Sequence, residues 1–328
     1  MTGCPILQAS VLSEMNEAKT NRGVSVVIPT YRRPAALLEC LQSLLRGTVQ
    51  PTEIIVAGRQ GDTETEQAVA DFSVSLSPEI NFHPVWVTVP GHIPPVEAGI
   101  HSASCELVAV IDDDVTVESD WLEKTLPHFS DPAIGVVGGR VIVPGVPVPR
   151  LKGKPGRVSW YGKHWGNVAS MEGENTVEVD TVMECNWIWR RDLLLSLQFD
   201  PILKFDDSSM YGLDLTLQAK EKGFRVAYDP RIVVLHHVAP RAEELDRANR
   251  PRRIYSYCRN YTYIMLKRSP WWRRPIFLGW WFLIGSHGAW GPVGLAADVL
   301  IRGRRTDRHS GAAFRGMLEG ARIWLSSR

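Results

Sequence analysis

Leu107-Val108-Ala109-Val110-Ile111-Asp112-Asp113-Asp114 is the stretch on which the reading of this 328-residue chain turns. Five apolar residues in a row, without alternation, read as a strand buried on both faces, the pattern of a parallel sheet covered by helices. Three carboxylates follow at once, with no cationic neighbour in sequence to relieve their repulsion. A hard divalent cation relieves it, and its preferred ligands are carboxylate oxygens and substrate phosphates. A solvated acidic turn is the competing use of such a triplet. Its place at the end of a strand in the middle of an α/β pattern favours the metal.

The flanking segments supply that pattern. Val24 to Ile28 is a second β-branched run, stopped by Pro29, and Leu37, Leu38, Leu41, Leu44 and Leu45 follow at helical spacing after Pro34. Glu53 to Ala57 and Val85 to Val89 read as further strands, and Val96 to Ser104 as a helix despite the two prolines before it. Beyond the triplet, strands are predicted at Gly135 to Val143, from Val179 toward Arg190, and at Val226 to His237. Long loops are predicted from Pro144 to Val177, and a helix over Asp214 to Lys222 that stops at Gly223. Alternating strands and helices predict an α/β fold with a mostly parallel sheet. Ligands of such sheets bind outside the carboxyl ends of the strands. Pro29-Thr30-Tyr31-Arg32, Gly58-Arg59 and Asp112-Asp113-Asp114 all lie at such ends, so one rim carries the expected cleft.

Composition fits a globular protein: 44% hydrophobic and 22% charged residues rule out wholesale disorder. Five scattered cysteines (Cys4, Cys40, Cys105, Cys185, Cys258) without a C-x-x-C pair argue against a disulfide framework or a structural zinc site, and fit a reducing compartment. Met1 to Arg22 shows no basic segment followed by an apolar one, so no secretory signal is expected there. The net charge of +1 hides an asymmetry, because Arg241 to Arg328 holds 17 Lys and Arg against 6 Asp and Glu. Six of the twelve tryptophans fall in the same tail. A basic, Trp-rich tail behind an acidic body suggests attachment to an anionic surface.

Val24-Ser25-Val26-Val27-Ile28-Pro29-Thr30-Tyr31-Arg32-Arg33-Pro34 resembles the opening of family 2 glycosyltransferases with the GT-A fold. Val108 to Asp114, followed by Asp120-Trp121-Leu122, resembles that family's D-x-D segment and its following W-L. Gly156-Arg157-Val158, Gly166-Asn167, Asn186 with Arg190-Arg191, and Gly223 through Tyr228-Asp229-Pro230 to His236 resemble a bacterial subgroup. The likeness runs in order from about Val24 to Arg241. It implies a GT-A core over residues 23–240, with a nucleotide-binding half to about residue 140 and an acceptor half after it. A flexible extension (1–22) would precede the core and a helical, basic C-terminal extension (241–328) would follow. The sheet would be Rossmann-like, mostly parallel and flanked by helices.

The activity implied is metal-dependent transfer of a sugar, with inversion, from a nucleotide-diphosphate donor to a glycan or lipid-linked acceptor in cell-surface polysaccharide synthesis. By the same resemblance Asp112 holds the ribose or the metal, Asp114 ligates the metal, and Asp113 lies on the nucleotide sugar. Pro29, Thr30, Tyr31 and Arg32 contact the base and ribose, with Tyr31 placed to stack. His236 is a candidate third ligand, and imidazole suits Mn2+ better than Mg2+. Trp187 and Trp189 are candidate stacking surfaces for the acceptor, with core packing the competing use of the rings.

The departures are informative. Gly58-Arg59-Gln60-Gly61-Asp62 stands where many relatives carry D-D-G-S, which makes Arg59 a candidate for the base or the diphosphate. Val96-Glu97 replaces an R-N pair. The family's catalytic acid falls on Gly212, so Asp214 is the first candidate for general base and Asp207 the second. A first-turn acid that simply favours the helix dipole is the competing reading of Asp214. A degenerate GT-A protein that binds glycans or nucleotide sugars without turnover therefore remains the alternative. A sugar nucleotidyltransferase would want a Gly-rich basic loop after the first strand, which Thr30 to Pro34 is not. A nucleic-acid binder would want a recognised motif beside its basic tail, and none is present.

In that tail, Ile276 to Ala297 runs without a formal charge, broken by Gly285-Ser286-His287-Gly288 and Gly291-Pro292. Lys267, Arg268, Arg273 and Arg274 precede it, and Arg302, Arg304 and Arg305 follow. With Trp271, Trp272, Trp280 and Trp281 this reads as an interfacial anchor on the cytoplasmic side of the membrane. A shallow hairpin insertion and a helical cap on the body are the alternatives.

Overall fold

The computed structural model describes residues 23–148, 154–204, 210–238, 250–286, 289–302 and 310–327. The expected N-terminal extension and the second base candidate, Asp207, lie outside them. Nine strands form one sheet: β1 (Val24–Thr30), β2 (Glu53–Arg59), β3 (Asn81–Val87), β4 (Leu107–Val110), β5 (Val115–Val117), β6 (Ile134–Ile142), β7 (Val177–Val179), β8 (Trp187–Arg190) and β9 (Arg225–His236). Their order is β3-β2-β1-β4-β8-β6-β9-β5, with β7 also on β9. The first four are mutually parallel, and β8 then runs antiparallel to both β4 and β6. Helices α1 (Pro34–Leu45), α2 (Thr63–Val74), α3 (Ile93–Ser102), α4 (Trp121–Thr125), α5 (Arg191–Leu195) and α6 (Tyr211–Glu221) complete this part of the chain.

The unalternating runs are explained by burial on both faces. Val26 and Ile28 of β1 join Ile54, Val56, Ala109 and Ile111 in the core beneath Leu37, Leu41 and Leu44 of α1. Val27 points the other way, with Ile55, Ala57, Val108 and Val110, beneath Ile93, Val96 and Ile100 of α3. Successive strand residues face opposite sides, so a strand covered on both must be apolar at every position. Pro94 and Pro95 fall in the first turn of α3, where a missing N–H costs nothing. The helix lies so close that a Cβ on Gly99 would come within 2.4 Å of Val27. The start of α6 differs from the sequence reading: it begins at Tyr211, because Met210 takes a left-handed turn (φ 72°) immediately before it.

The tail forms α7 (Arg250–Arg268), α8 (Arg274–Leu283), α9 (Pro292–Arg302) and α10 (Ser310–Ser326). It is helical as expected, and much of it is core. Cys258, Tyr261, Ile264 and Met265 of α7, Phe277 and Trp281 of α8, and Ala313 and Met317 of α10 belong to the same buried cluster as α3 and β8. Gly316 and Gly320 let α10 lie against the α7 backbone, since a Cβ there would meet Tyr255 O at 2.3 Å and Arg259 O at 2.2 Å. Burial pushes the His164 imidazole down to about 4, and the neutral ring packs 6.1 Å from Tyr261. The uncharged stretch is divided among α8, a two-stranded turn (Gly285–Ser286 with Ala289–Trp290) and α9. Among the described residues no helix is long and apolar enough to cross a membrane.

Candidate active site

The carboxyl ends of β1, β2 and β4 do form one rim, and the aspartate triplet divides its labour there. Asp113 turns inward and is fully buried. It accepts the Thr30 hydroxyl at 2.8 Å and pairs with Arg33, whose Nε is 3.1 Å away. Burial pushes its carboxyl up to about 7, against the opposing pull of Arg33 and Thr30. The cation missing from the local sequence is therefore Arg33, brought from the start of α1. Three of the expected donor contacts lie inside this arrangement. Pro29, Thr30 and Asp113 are buried, and the Thr30–Asp113 bond ties β1 to the end of β4.

Asp112 and Asp114 converge instead with His236. Their ligand atoms, two carboxylate oxygens and one imidazole nitrogen, all lie within 4.8 Å of one another. The short strand β5 makes this possible by pairing Val115 with His236, which carries the end of β9 back over the triplet. His236 Nε2 lies 3.1 Å from Asp114 Oδ1, and His237 N–H donates to the Asp114 carbonyl at 2.8 Å. Arg33 Nη1 holds the other Asp114 oxygen at 2.9 Å.

Two guanidinium groups lie against the ring of Tyr31, which follows β1 on the same rim. Arg32 lies 5.0 Å from the ring centroid and Arg59 5.3 Å. Arg32 adopts φ 56°, and its N–H donates to Asp62, which also accepts from the Thr65 hydroxyl at 2.7 Å and caps α2. Asp62 thus joins the loops after β1 and β2. No local pattern announces it, because its partner in the first loop is 30 residues away.

The expected acceptor surface is not built from Trp187 and Trp189. Both rings are buried in the core, packed edge-to-face with centroids 5.1 Å apart. Strand β8 sits between β4 and β6, so neither edge of it is open. Asn186 just before it is a structural hub. Its side chain accepts the Trp121 indole N–H at 2.9 Å and donates to the carbonyls of Arg140 and Ile232.

Asp214 is held within the fold. It is 1% exposed, accepts from Arg268 Nε at 2.7 Å and Nη2 at 3.2 Å, and accepts from Gln218 at 2.9 Å. The carboxylate anchors α7 to α6. The sequence reading missed this because the partner lies 54 residues away. Glu184, also missed, accepts the Gly212 N–H at 3.1 Å at the start of α6. Glu97, at the place of the family's R-N pair, accepts from Lys204 at 2.6 Å.

The sequence model of Glycosyl transferase family 2 matches residues 25–194, just over half of the chain. The chain belongs to glycosyltransferase family 2. Its fold accords with that family's GT-A members. The mannosyltransferase PcManGT from Pyrobaculum calidifontis, solved with GDP-Man and Mn2+, superposes with a TM-score of 0.56 at 16% identity, over 98% of this chain and 96% of that one. TarS residues 1–349 from S. aureus, solved with UDP-GlcNAc, gives 0.56 at 16% identity over 89% and 78%. Among curated family 2 relatives, the uncharacterized glycosyltransferase YwdF of Bacillus subtilis is 31% identical over 102 residues. The glucosyl-dolichyl phosphate glucuronosyltransferase of Haloferax volcanii is 25% identical over 164 residues, 46% of this chain. The pre-mycofactocin glycosyltransferase of Mycobacterium tuberculosis is 31% identical over 125 residues, 38% of this chain. The matched parts cover 36%, 51% and 24% of those relatives.

Proposed function

We propose that this enzyme is a metal-dependent, inverting glycosyltransferase that uses a nucleotide-diphosphate sugar and glycosylates a glycan or lipid-linked acceptor of cell-surface polysaccharide. The observation that carries the reading is the convergence of Asp112, Asp114 and His236 beside Tyr31 and Arg59 on the rim of the sheet. Two carboxylate oxygens and one imidazole fit Mn2+ better than Mg2+, and leave coordination positions for a diphosphate. When bound there, the cation neutralises charge growing on the leaving diphosphate. Tyr31 offers a ring for the base, and Arg32 and Arg59 offer positive charge along the donor. Arg33 compensates the buried Asp113, which leaves Asp112 and one Asp114 oxygen to face the cation.

The degenerate reading draws on Gly212, which has no side chain, and on Asp214, whose carboxylate is engaged by Arg268. One experiment separates the two readings. The protein is incubated with UDP-GlcNAc, GDP-mannose and other nucleotide sugars in the presence of Mn2+, and nucleoside diphosphate release is followed. Turnover of at least one donor, abolished by chelator, is expected. Donor binding without release supports the degenerate reading.

For the tail we propose peripheral attachment to the cytoplasmic face of an anionic membrane, with a changed footprint. Lys267 and Arg268 are engaged by Asp200 and Asp214, and Trp281 is buried, so they belong to the body. Trp271, 78% exposed, and Trp272, 46% exposed, precede α8, whose Ile276 and Leu283 are also exposed, as is Ile284. Ending the chain near Arg250 would strip α7 from the core, so the test is by substitution. Sedimentation with anionic vesicles is expected for the full chain. Trp271→Ser/Trp272→Ser should weaken it by roughly tenfold or more, since burying a large apolar side chain contributes about 1.5–3 kcal/mol. Unchanged sedimentation of that variant would place the attachment elsewhere.

A further inference from the structure

The space in front of Gly212 is already taken by a carboxylate. A Cβ built on Gly212 would lie 2.4 Å from Glu184 Oε1, and the Gly212 N–H donates to that same oxygen. Glu184 reaches this place from the segment leading into β8. That strand runs antiparallel to β4 with Trp187 opposite Val110. Residues just before β8 and residues just after β4 therefore leave the sheet at one edge, which puts Glu184 on the rim that holds Asp112. The electrostatics agree. After burial, the charges of Asp112 and Glu184 both push up the Cys185 thiol and the Tyr211 hydroxyl. Both carboxylates thus act on the same two buried groups. Glu184 itself is half-buried, unlike Asp214.

A hydroxyl nucleophile needs a group to take its proton as it attacks. We propose that Glu184 is the catalytic residue that accepts the proton of the acceptor hydroxyl, a role that rests on the donor reading given above. The acceptor oxygen bonds to the anomeric carbon while the bond from that carbon to the diphosphate oxygen breaks. The electron pair leaves with the nucleoside diphosphate, and the proton passes to the Glu184 carboxylate, which later releases it to water. A carboxylate has about four lone-pair positions, so holding the Gly212 N–H leaves capacity for a proton. The same bond orients the group, and the amino end of α6 favours its negative charge. Gly212 is required for this arrangement, because any side chain there would displace the carboxylate.

The test uses the full chain with Mn2+ and whichever of UDP-GlcNAc and GDP-mannose it cleaves, with water and then azide as the nucleophile. Glu184→Gln keeps an oxygen for the Gly212 N–H, so a purely structural role survives it. If Glu184 is the base, this variant binds donor like the unsubstituted protein and loses the water reaction by about a hundredfold or more. Azide has no proton to give up, so it should restore diphosphate release toward the unsubstituted rate, with glycosyl azide as product. Hydrolysis near the unsubstituted rate overturns the proposal, and so does loss of both reactions with donor binding intact. Should Glu184→Gln melt early, Glu184→Gly with Gly212→Asp places the acid on the other side of the contact. Recovered hydrolysis supports the proposal, and a folded but inert double variant overturns it. Failure of the unsubstituted protein to bind or cleave any donor is a different result, because it removes the donor reading itself and this role with it.

Discussion

Asp114→Asn is expected to abolish metal-dependent donor cleavage, by a hundredfold or more, while leaving the protein folded. The substitution removes one charged ligand from the Asp112–Asp114–His236 cluster, and a cation that stabilises a leaving diphosphate supplies several kcal/mol of transition-state stabilisation. The fold should tolerate it. Arg33 keeps its buried partner Asp113, and the Asp114 carbonyl, which receives the His237 N–H, is untouched. Less negative charge on the rim also lessens carboxylate repulsion. The check is nucleoside diphosphate release and donor binding with Mn2+ and with chelator, beside a melting curve. Full activity of the variant in chelator-treated buffer would falsify the metal assignment.

The second large effect is on stability and concerns Asp214. Asp214→Ala leaves the Arg268 guanidinium, 15% exposed, without its closest partner. Removing one member of a buried ion pair costs about 3–5 kcal/mol, because the surviving charge stays desolvated. Glu221 at 3.2 Å can still pair with Arg268, which places the expected loss near the low end, about 3 kcal/mol. Urea unfolding should show it. Donor cleavage per folded molecule should stay close to that of the unsubstituted protein, because the carboxylate faces α7 rather than the rim. A variant of normal stability that is catalytically dead would return Asp214 to the role its helix-start position suggests.

These two residues show what the sequence made legible. The runs of β1, β2 and β4 are apolar at nearly every position because both faces are covered, so strand type and the common rim could be read from the sequence pattern. The aspartate triplet stood out because it interrupts such a run. Partnerships across the fold could not be read. Arg33 lies about 80 residues from Asp113, and Arg268 lies 54 from Asp214, with no periodicity to link either pair. The direction of β8 was also hidden, since a short apolar strand reads alike in either sense. Trp187 and Trp189, for which stacking on the acceptor and core packing were the two readings, are buried in the core. The basic tail was only partly legible for a related reason. Charge counts do not distinguish an arginine that meets a membrane from one that anchors a helix to a buried carboxylate.

Asp112, Asp114 and His236 are proposed to hold the cation that carries the donor diphosphate. Anomalous diffraction at the manganese edge, from crystals grown with Mn2+ and a bound nucleotide sugar, tests it most directly. The predicted result is one peak contacting Asp112, Asp114 and His236, at carboxylate-oxygen and imidazole-nitrogen distances of about 2.0–2.3 Å, with diphosphate oxygens completing the shell. A donor bound on this rim with no peak at those three residues would contradict it.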